Sequence, residues 1–323
     1  MQMNPCCPVF IGVDVAKDEL VCATHGKPST TGVANEPGAL RQWLAGLPEG
    51  AQIAMESTGR HHQALAAQAC ALGLTVFVLN ARDVFFYAKA LGMRGKTDRV
   101  DAHLIARYLG EHHASLHPYR LPDAATAQIQ RLLTQRQALV GKQTALRLSL
   151  AEGCGQDAGV DEATAHLHKA FKALLKAIDA RVQRLIGANA QMHEAHQRLQ
   201  TIVGVGAQSS ALLVSLLSRM GFTSADALVG YSGLDPRAHD SGRSHGRRRL
   251  SKRGPPALRR QMYMVAMAAS HTELFAPVYQ QLRQRGFKTT EAMVILARKM
   301  LRIAFAVWKS GKPFDPAKVS IKT

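Results

Sequence analysis

The sequence predicts an α/β domain at the N-terminus, then a long helical arm, then a mainly α-helical C-terminal domain. Three observations support this division. Up to about residue 120, short apolar runs alternate with stretches of helical spacing, as they do in α/β domains. From about Asp123 to Gln200 the texture changes to Ala, Leu, Gln, Arg and His, with apolar positions such as Ile129, Leu132, Leu133, Leu139 and Leu146 at spacings built from three- and four-residue steps. At Thr201 a glycine-containing turn opens a third, mostly helical stretch. The expected domains are therefore 1–120, 121–200 and 201–323.

In the first segment, Val9 to Val13 reads as a buried strand, with Glu19 to Thr24 as its hairpin partner. Gln52 to Met55 and Thr75 to Leu79 read as further buried strands. Pro37 to Leu47, His62 to Leu72 and Asp98 to Leu109 have helical spacing, the last through Val100, Leu104, Ile105 and Leu109. The layout resembles that of a ribonuclease-H-like domain. The second segment reads as two long helices broken between Gly153 and Gly159, an antiparallel hairpin or coiled-coil arm. The third contains a Gly-, Arg- and Ser-rich loop from about Gly233 to Gly254 and ends in a short irregular tail from Pro313.

Of 323 residues, 41 are Lys or Arg and 23 Asp or Glu, a formal charge of +18 that exceeds what solubility requires and points to a polyanionic partner. Nucleic acid fits better than a membrane surface, because no apolar run reaches about 18 residues and no signal-peptide pattern opens the chain. The five cysteines form no CxxC pair and have no histidines at zinc-finger spacing, so reduced thiols in a cytoplasmic protein are expected.

Asp14 ends the apolar run of the first strand and Glu56 ends that of a later one, where a carboxylate is costly unless it has a partner. Asp98 and Asp101 stand one turn apart at a helix start, so they face the same way and can converge with the strand-end acids. Four such carboxylates repel one another unless divalent cations neutralise them. Hard oxygen donors suit Mg²⁺ or Mn²⁺, which in pairs promote phosphoryl transfer. The alternative is a helix cap at Asp98 with Asp101 favouring the positive helix terminus. Lys17, Arg94, Lys96 and Arg99 lie near these acids in sequence and can position a phosphate backbone.

The run Ile202-Val203-Gly204-Val205-Gly206, followed by an apolar helix, looks like a helix-hairpin-helix turn, in which Gly204 and Gly206 let backbone N–H groups approach a phosphate. A tight turn between packed helices is the competing reading. The loop after Gly233 sets Ser241 and Gly242 among Arg237, Arg243, Arg247, Arg248, Arg249, Lys252 and Arg253. Arginine forks suit phosphate oxygens, and a serine beside them can attack phosphorus once its proton is removed. Composition does not choose Ser241 over Ser244 or Ser251, nor exclude a loop that only grips the backbone.

Taken together, Gly12-Val13-Asp14-Val15-Ala16-Lys17, Met55-Glu56-Ser57-Thr58-Gly59, Lys96-Thr97-Asp98-Arg99-Val100-Asp101-Ala102, the glycine turn, Gly233-Leu234-Asp235-Pro236-Arg237, Asp240-Ser241-Gly242 and Leu250-Ser251-Lys252-Arg253-Gly254 resemble the IS110 transposase family. That family includes the IS1111 group and Piv-type DNA invertases. The motifs come in the family's order and cover nearly the whole chain. The resemblance implies a RuvC-like N-terminal domain whose DEDD acids match Asp14, Glu56, Asp98 and Asp101. It implies that Ser241 is the nucleophile, forming a covalent phosphoserine link to DNA, with Mg²⁺ as cofactor. It further implies element-end and target DNA as partners, a non-coding bridge RNA as guide, and a homodimer or homotetramer held by the helical arm, acting in the bacterial cytoplasm at the nucleoid. Delegating sequence reading to RNA would leave the protein mainly backbone contacts, which suits its charge. The run from Gly242 to Arg249 is unusually basic for this pattern. Two other readings compete: a RuvC-like metal-dependent endonuclease or junction resolvase in which water is the nucleophile, and a non-catalytic nucleic-acid-binding protein.

Overall fold

The computed structural model describes residues 8–319 apart from 58, 60, 94, 96, 152–156, 238, 239, 242, 243, 246 and 247; for 151, 240, 241, 244 and 245 it describes the backbone alone. The chain divides into two compact units, Met1–Leu121 and Pro122–Thr323.

In the first unit, β1 (Phe10–Val15), β2 (Glu19–Thr24) and β3 (Thr30–Ala34) form an antiparallel meander. Helix α1 (Pro37–Ala45) leads to β4 (Gln52–Glu56), and α2 (His62–Ala71) leads to β5 (Thr75–Leu79). β4 lies parallel to β1 and β5 parallel to β4, giving one mixed five-stranded sheet in the order β3-β2-β1-β4-β5. Two more helices follow, α3 (Ala81–Ala90) and α4 (Asp98–His112). Because the central strands are covered on both faces, they read as continuous apolar runs rather than alternating ones. Ile11, Val13, Ile53, Met55 and Val76 face α1 and α2 through Leu40, Leu44, Leu65 and Ala69, whereas Ala54, Phe77 and Leu79 face α4 through Leu104, Ile105 and Leu109. The result is three layers, helix on sheet on helix.

The tightest contact in this unit is between α4 and β1. A Cβ on Gly12 would stand 2.1 Å from the Ala106 amide nitrogen and 2.3 Å from the Ala102 carbonyl oxygen, so backbone rests on backbone there. The same contacts give the helix its direction. Gly110 abuts the ring of His25, whose amide donates to the Phe10 carbonyl at 2.9 Å, so the C-terminal turn of α4 lies over the start of β1. Its N-terminal turn therefore lies toward the end of β1. That turn is capped by the Thr97 hydroxyl, which accepts from the Val100 amide at 3.3 Å.

The second unit is helical: α5 (Ala124–Ala151), α6 (Ala158–Gly187), α7 (Ala190–Gln200), α8 (Ala207–Arg219), α9 (Ala225–Ser232), α10 (Pro256–Ser270), α11 (Ala276–Gln284) and α12 (Thr289–Ser310). Between α9 and α10 the described residues form four two-residue strands, β6 (Pro236–Arg237), β7 (Asp240–Ser241), β8 (Ser244–His245) and β9 (Arg249–Leu250). The long helices α5 and α6 run antiparallel, because Arg136 pairs with Asp179 (2.6 and 3.1 Å) while the earlier Gln128 meets the later Arg181. Gln208 of α8 also donates to Asp179 at 3.1 Å, and Ile129, Ile178, Val182 and Ile186 enter the core around Leu199, Leu213, Met262, Phe275, Leu296 and Met300. The base of the helical pair thus shares the core of the C-terminal helices. Where the sequence suggested two long helices before Thr201, the described residues form three. Asn189 stops the second and caps α7 by accepting from the Met192 amide at 3.0 Å. The break expected at Gly153 to Gly159 falls mostly outside the described residues, and α6 opens at Ala158 under the Asp157 cap. Among the described residues, no helix is long and apolar enough to cross a membrane.

Two changes test this packing. Gly12→Ala is expected to cost at least about 3 kcal/mol, since neither backbone can retreat from the added methyl. A urea midpoint equal to wild type would refute the seating of α4 on β1. His196, almost fully buried on α7, meets Gln183 at 3.0 Å through Nε2 and Ser210 at 2.7 Å through Nδ1; burial, assisted by nearby His193, lowers its pKa. The unfolded chain then takes up a proton near pH 6.5 that the folded chain resists, so this contribution to stability is full above about pH 6.5 and is lost as pH falls through the folded value. Denaturation between about pH 5 and 7 should show a shallower pH slope for His196→Gln than for wild type.

Candidate active site and nucleic-acid interface

The pairing of β1 with β4 ends at Val13 opposite Met55, so Asp14 and Glu56 are the next residues of two neighbouring parallel strands. By the period of two they share the face of Gly12 and Ala54, the face that carries α4. Asp98 and Asp101 occupy the first turn of α4, which the helix direction brings to this same end of the sheet. Asp14, Glu56 and Asp101 are half-buried, Asp98 exposed. Among the described residues, no three His, Cys, Asp or Glu side chains gather closely enough to form a metal cage. The four acids share an end and a face of the unit without closing into a ligand set. As donors they fit a hard divalent cation, since all are carboxylates.

Around them, Lys17 is exposed just beyond β1, and the β1–β2 turn is held by the Asn35 amide, which donates to the Ala16 carbonyl at 2.9 Å. Arg99 donates to the Pro28 carbonyl at 3.0 Å and so ties α4 to the loop before β3. Arg94 and Lys96 lie outside the described residues.

In the second unit, the two turn glycines have different roles. Gly204 adopts φ +87°, and a Cβ there would meet the Ala269 nitrogen and Val265 oxygen at 2.9 Å, so its bareness serves close packing on α10. Gly206 precedes α8 at its N-cap, and a methyl group there would have nothing within 4 Å. Of the pair, only Gly206 has open space where a side chain would stand.

The serine loop is a hairpin rather than an irregular coil. β6 pairs with β9 at its base, and β7 pairs with β8 toward its tip, setting Ser241 opposite Ser244. The base is clamped. Gly233, in the left-handed region at φ +69°, and Gly254 permit approaches that any side chain would block, since a Cβ on Gly254 would stand 1.7 Å from the Tyr231 carbonyl. The Ser251 amide donates to the Asp235 carbonyl at 3.0 Å, and its hydroxyl donates to the Asp235 carboxylate. Arg259 donates to the carbonyls of Ser232 and Gly254. Ser251 is 4% exposed, and this burial removes it from the three serines that composition could not separate. Ser241 and Ser244 remain, as backbone positions on the ladder next to the tip.

Arg237 and Arg249 stand directly across the β6–β9 ladder from one another, both exposed. Arg248, Lys252 and Arg253 are exposed beside them, Lys252 with a positive φ of 53°. Arg243 and Arg247 lie outside the described residues. The sequence offered no means of registering Arg249 against Arg237, or Ser251 with Asp235, because both pairings depend on hairpin register across a run with no apolar alternation.

Against known families, a DEDD transposase model of the IS110 type matches residues 11–152, and the model described as "Transposase IS116/IS110/IS902 family" matches residues 196–280. The first spans the acids and the second the glycine turn and serine hairpin. The chain belongs to the IS110 family of transposases. This transposase is similar to the pilin gene-inverting protein of Moraxella bovis, 28% identical over 95% of this chain and 97% of that one. It is also similar to an insertion element IS900 protein of Mycobacterium paratuberculosis, 24% identical over 96% and 98% respectively. An insertion element IS110 protein of Streptomyces coelicolor is 29% identical over 43% of this chain and 34% of its own length. The transposase is thus a DNA recombination enzyme, and its DEDD domain implies a divalent metal ion.

Gly204→Ala in the transposase should destabilise the second unit by about 2 to 3 kcal/mol through overpacking and backbone strain. Thermal melting reads this out. An unchanged midpoint combined with weakened DNA binding would instead assign Gly204 to phosphate contact.

Proposed function

We propose that this transposase cuts and rejoins DNA strands by direct phosphoryl transfer to Ser241, with Asp14, Glu56, Asp98 and Asp101 of a RuvC-like first unit as the acids of the reaction. The observation that supports this most is the alignment of Asp14 and Glu56 at matching ends of adjacent parallel strands, on the face where α4 brings Asp98 and Asp101. These acids would hold Mg²⁺, which when bound withdraws charge from the reacting phosphate and favours both the attacking and leaving oxygens. Ser241 Oγ gives up its proton and forms a bond to phosphorus while the bond from phosphorus to the leaving sugar oxygen breaks; that oxygen takes up a proton. Reversal on a second strand restores the serine and joins new DNA. Arg237, Arg248, Arg249, Lys252 and Arg253 hold the backbone phosphates flanking the attacked one. Gly206, at the N-terminus of α8, is the remaining phosphate contact of the helix-hairpin-helix reading.

The substrates in this reading are element-end and target DNA, in keeping with the insertion-element and gene-inverting names of the relatives, and a bridge RNA pairs with both. The protein acts as a homodimer or homotetramer. Beyond its core contacts, α6 exposes a second seam, Val160, Ala163, Leu167, Ala170, Leu174 and Ala177, spaced by alternate threes and fours, with Val160, Leu167 and Leu174 51%, 44% and 47% exposed. A heptad stripe of this kind suits a helix of a second copy.

The test incubates the protein with Mg²⁺, element-end DNA, target DNA and the element's RNA and resolves the products on an SDS gel. Wild type should give an SDS-stable protein–DNA adduct that Ser241→Ala lacks. Asp14→Asn, Glu56→Gln and Asp101→Asn should lower adduct yield at least about a hundredfold, the scale of losing one group that stabilises transition-state charge. Cleaved DNA without adduct in wild type would instead establish the metal-dependent nuclease. An adduct requiring Ser244 and surviving Ser241→Ala would move the nucleophile across the ladder.

A further inference from the structure

Helix α3 carries a surface with no part in the chemistry described above. Val84 is buried and Tyr87 packs edge-on against Tyr108 of α4, which fixes the inner face of the helix. The outer face bears Phe85 and Phe86, 53% and 50% exposed, with rings 5.5 Å apart and tilted at 70°. Arg82 and Lys89 complete the same face at helical spacing. The Arg82 guanidinium carbon stands 5.4 Å from the centre of the Phe86 ring, and the Lys89 ammonium stands 4.7 Å from that of Phe85. Two neighbouring exposed phenyl rings are costly to leave in water, and the described residues of this unit leave about half of each residue uncovered.

Their position in the fold narrows the occupant. Leu79, the last residue of β5, is paired with Glu56, and the Ser57 amide donates to the Leu79 carbonyl at 2.9 Å. Asn80 then caps α3 at once by accepting from the Arg82 amide at 3.0 Å. The helix therefore leaves the sheet beside an acid, and Phe85 and Phe86 lie only about 7 Å along its axis from its first residue. A ring face left open offers a base a stacking surface whatever its sequence, and the cation over each ring suits the phosphates on either side of that base. Duplex DNA hides its base faces, so the chemistry selects an unpaired strand.

We propose that Phe85, Phe86, Arg82 and Lys89 form a stacking platform for unpaired DNA, holding the strand that is separated from its complement next to the acidic end of the sheet. The assignment to DNA rests on the recombinase reading, in which strand exchange exposes unpaired DNA at that end; the platform itself rests on the exposed rings and their cations. It would steady the displaced strand without reading its sequence.

The test uses the full-length protein in EDTA, so that no catalytic step enters, and follows the anisotropy of a labelled deoxythymidine 20-mer, a uridine 20-mer and a duplex of equal length. Phe85→Ala/Phe86→Ala should bind the deoxythymidine strand about tenfold or more weakly than wild type, with duplex affinity little changed. Phe85→Leu/Phe86→Leu keeps apolar bulk but removes the rings and should lose as much. Phe86→Trp should retain affinity, and its added indole emission should fall on titration with the deoxythymidine strand. Wild-type affinity in the leucine variant, or no change in indole emission, would overturn the platform. Tighter binding of the uridine strand would overturn its assignment to DNA. Failure of the serine mechanism would appear separately, as absence of adduct from wild type on the SDS gel, and would leave these binding results as they are.

Discussion

The first unit depends on one contact, the seating of α4 against β1 at Gly12. A helix normally stands off a sheet by the depth of its side chains. Here the bare Cα of Gly12, with Ala102 and Ala106 above it, lets the two backbones touch. Close seating fixes both the height and the slide of α4 along the strand, and hence how far its first turn projects beyond the sheet. Any larger residue at position 12 would lift the helix and carry Asp98 and Asp101 away from the level of Asp14 and Glu56. Side-chain packing by Leu104, Ile105 and Leu109 adds most of the buried area, but that area alone would tolerate several positions of the helix. The glycine selects one.

The second unit applies the same device to a hairpin. Gly233 and Gly254 bring the two ends of the segment into backbone contact, and the buried Ser251 closes the base by hydrogen bonds to the half-buried Asp235. Arg259 binds carbonyls from both sides of the base. A basic, glycine-rich run has little apolar surface with which to order itself, so its order must come from where it is rooted. This explains why serines that look alike in sequence have different roles: Ser251 belongs to the root, while Ser241 and Ser244 belong to the projecting ladder.

Much of the first unit was legible in the sequence because buried parallel strands leave uninterrupted apolar runs. Thr75 to Leu79 and Glu19 to Thr24 have the bounds expected, and the others differ by a residue or two at their ends. β3 left no such trace, being an edge strand with only Val33 buried, and α3, which buries only Val84 and starts directly after β5, was not anticipated. The acids stood out because carboxylates interrupt apolar runs at Asp14 and Glu56. What the sequence could not convey was position in space: that Gly204 packs against α10, that Ser251 is buried, and that Arg249 faces Arg237. Each of these follows from pairings between segments whose relative register no local pattern records.

The facing arginines have a thermodynamic corollary. Like charges directly across an antiparallel ladder repel one another, so the bare hairpin carries a small internal opposition, of about the size of an ordinary cross-strand pair but of unfavourable sign. A phosphate between Arg237 and Arg249 would turn that opposition into attraction, making the backbone of the substrate the missing rung of the hairpin. In the proposed reading, the charge that costs the facing arginines something in isolation is the same charge that would favour a polyanion between them.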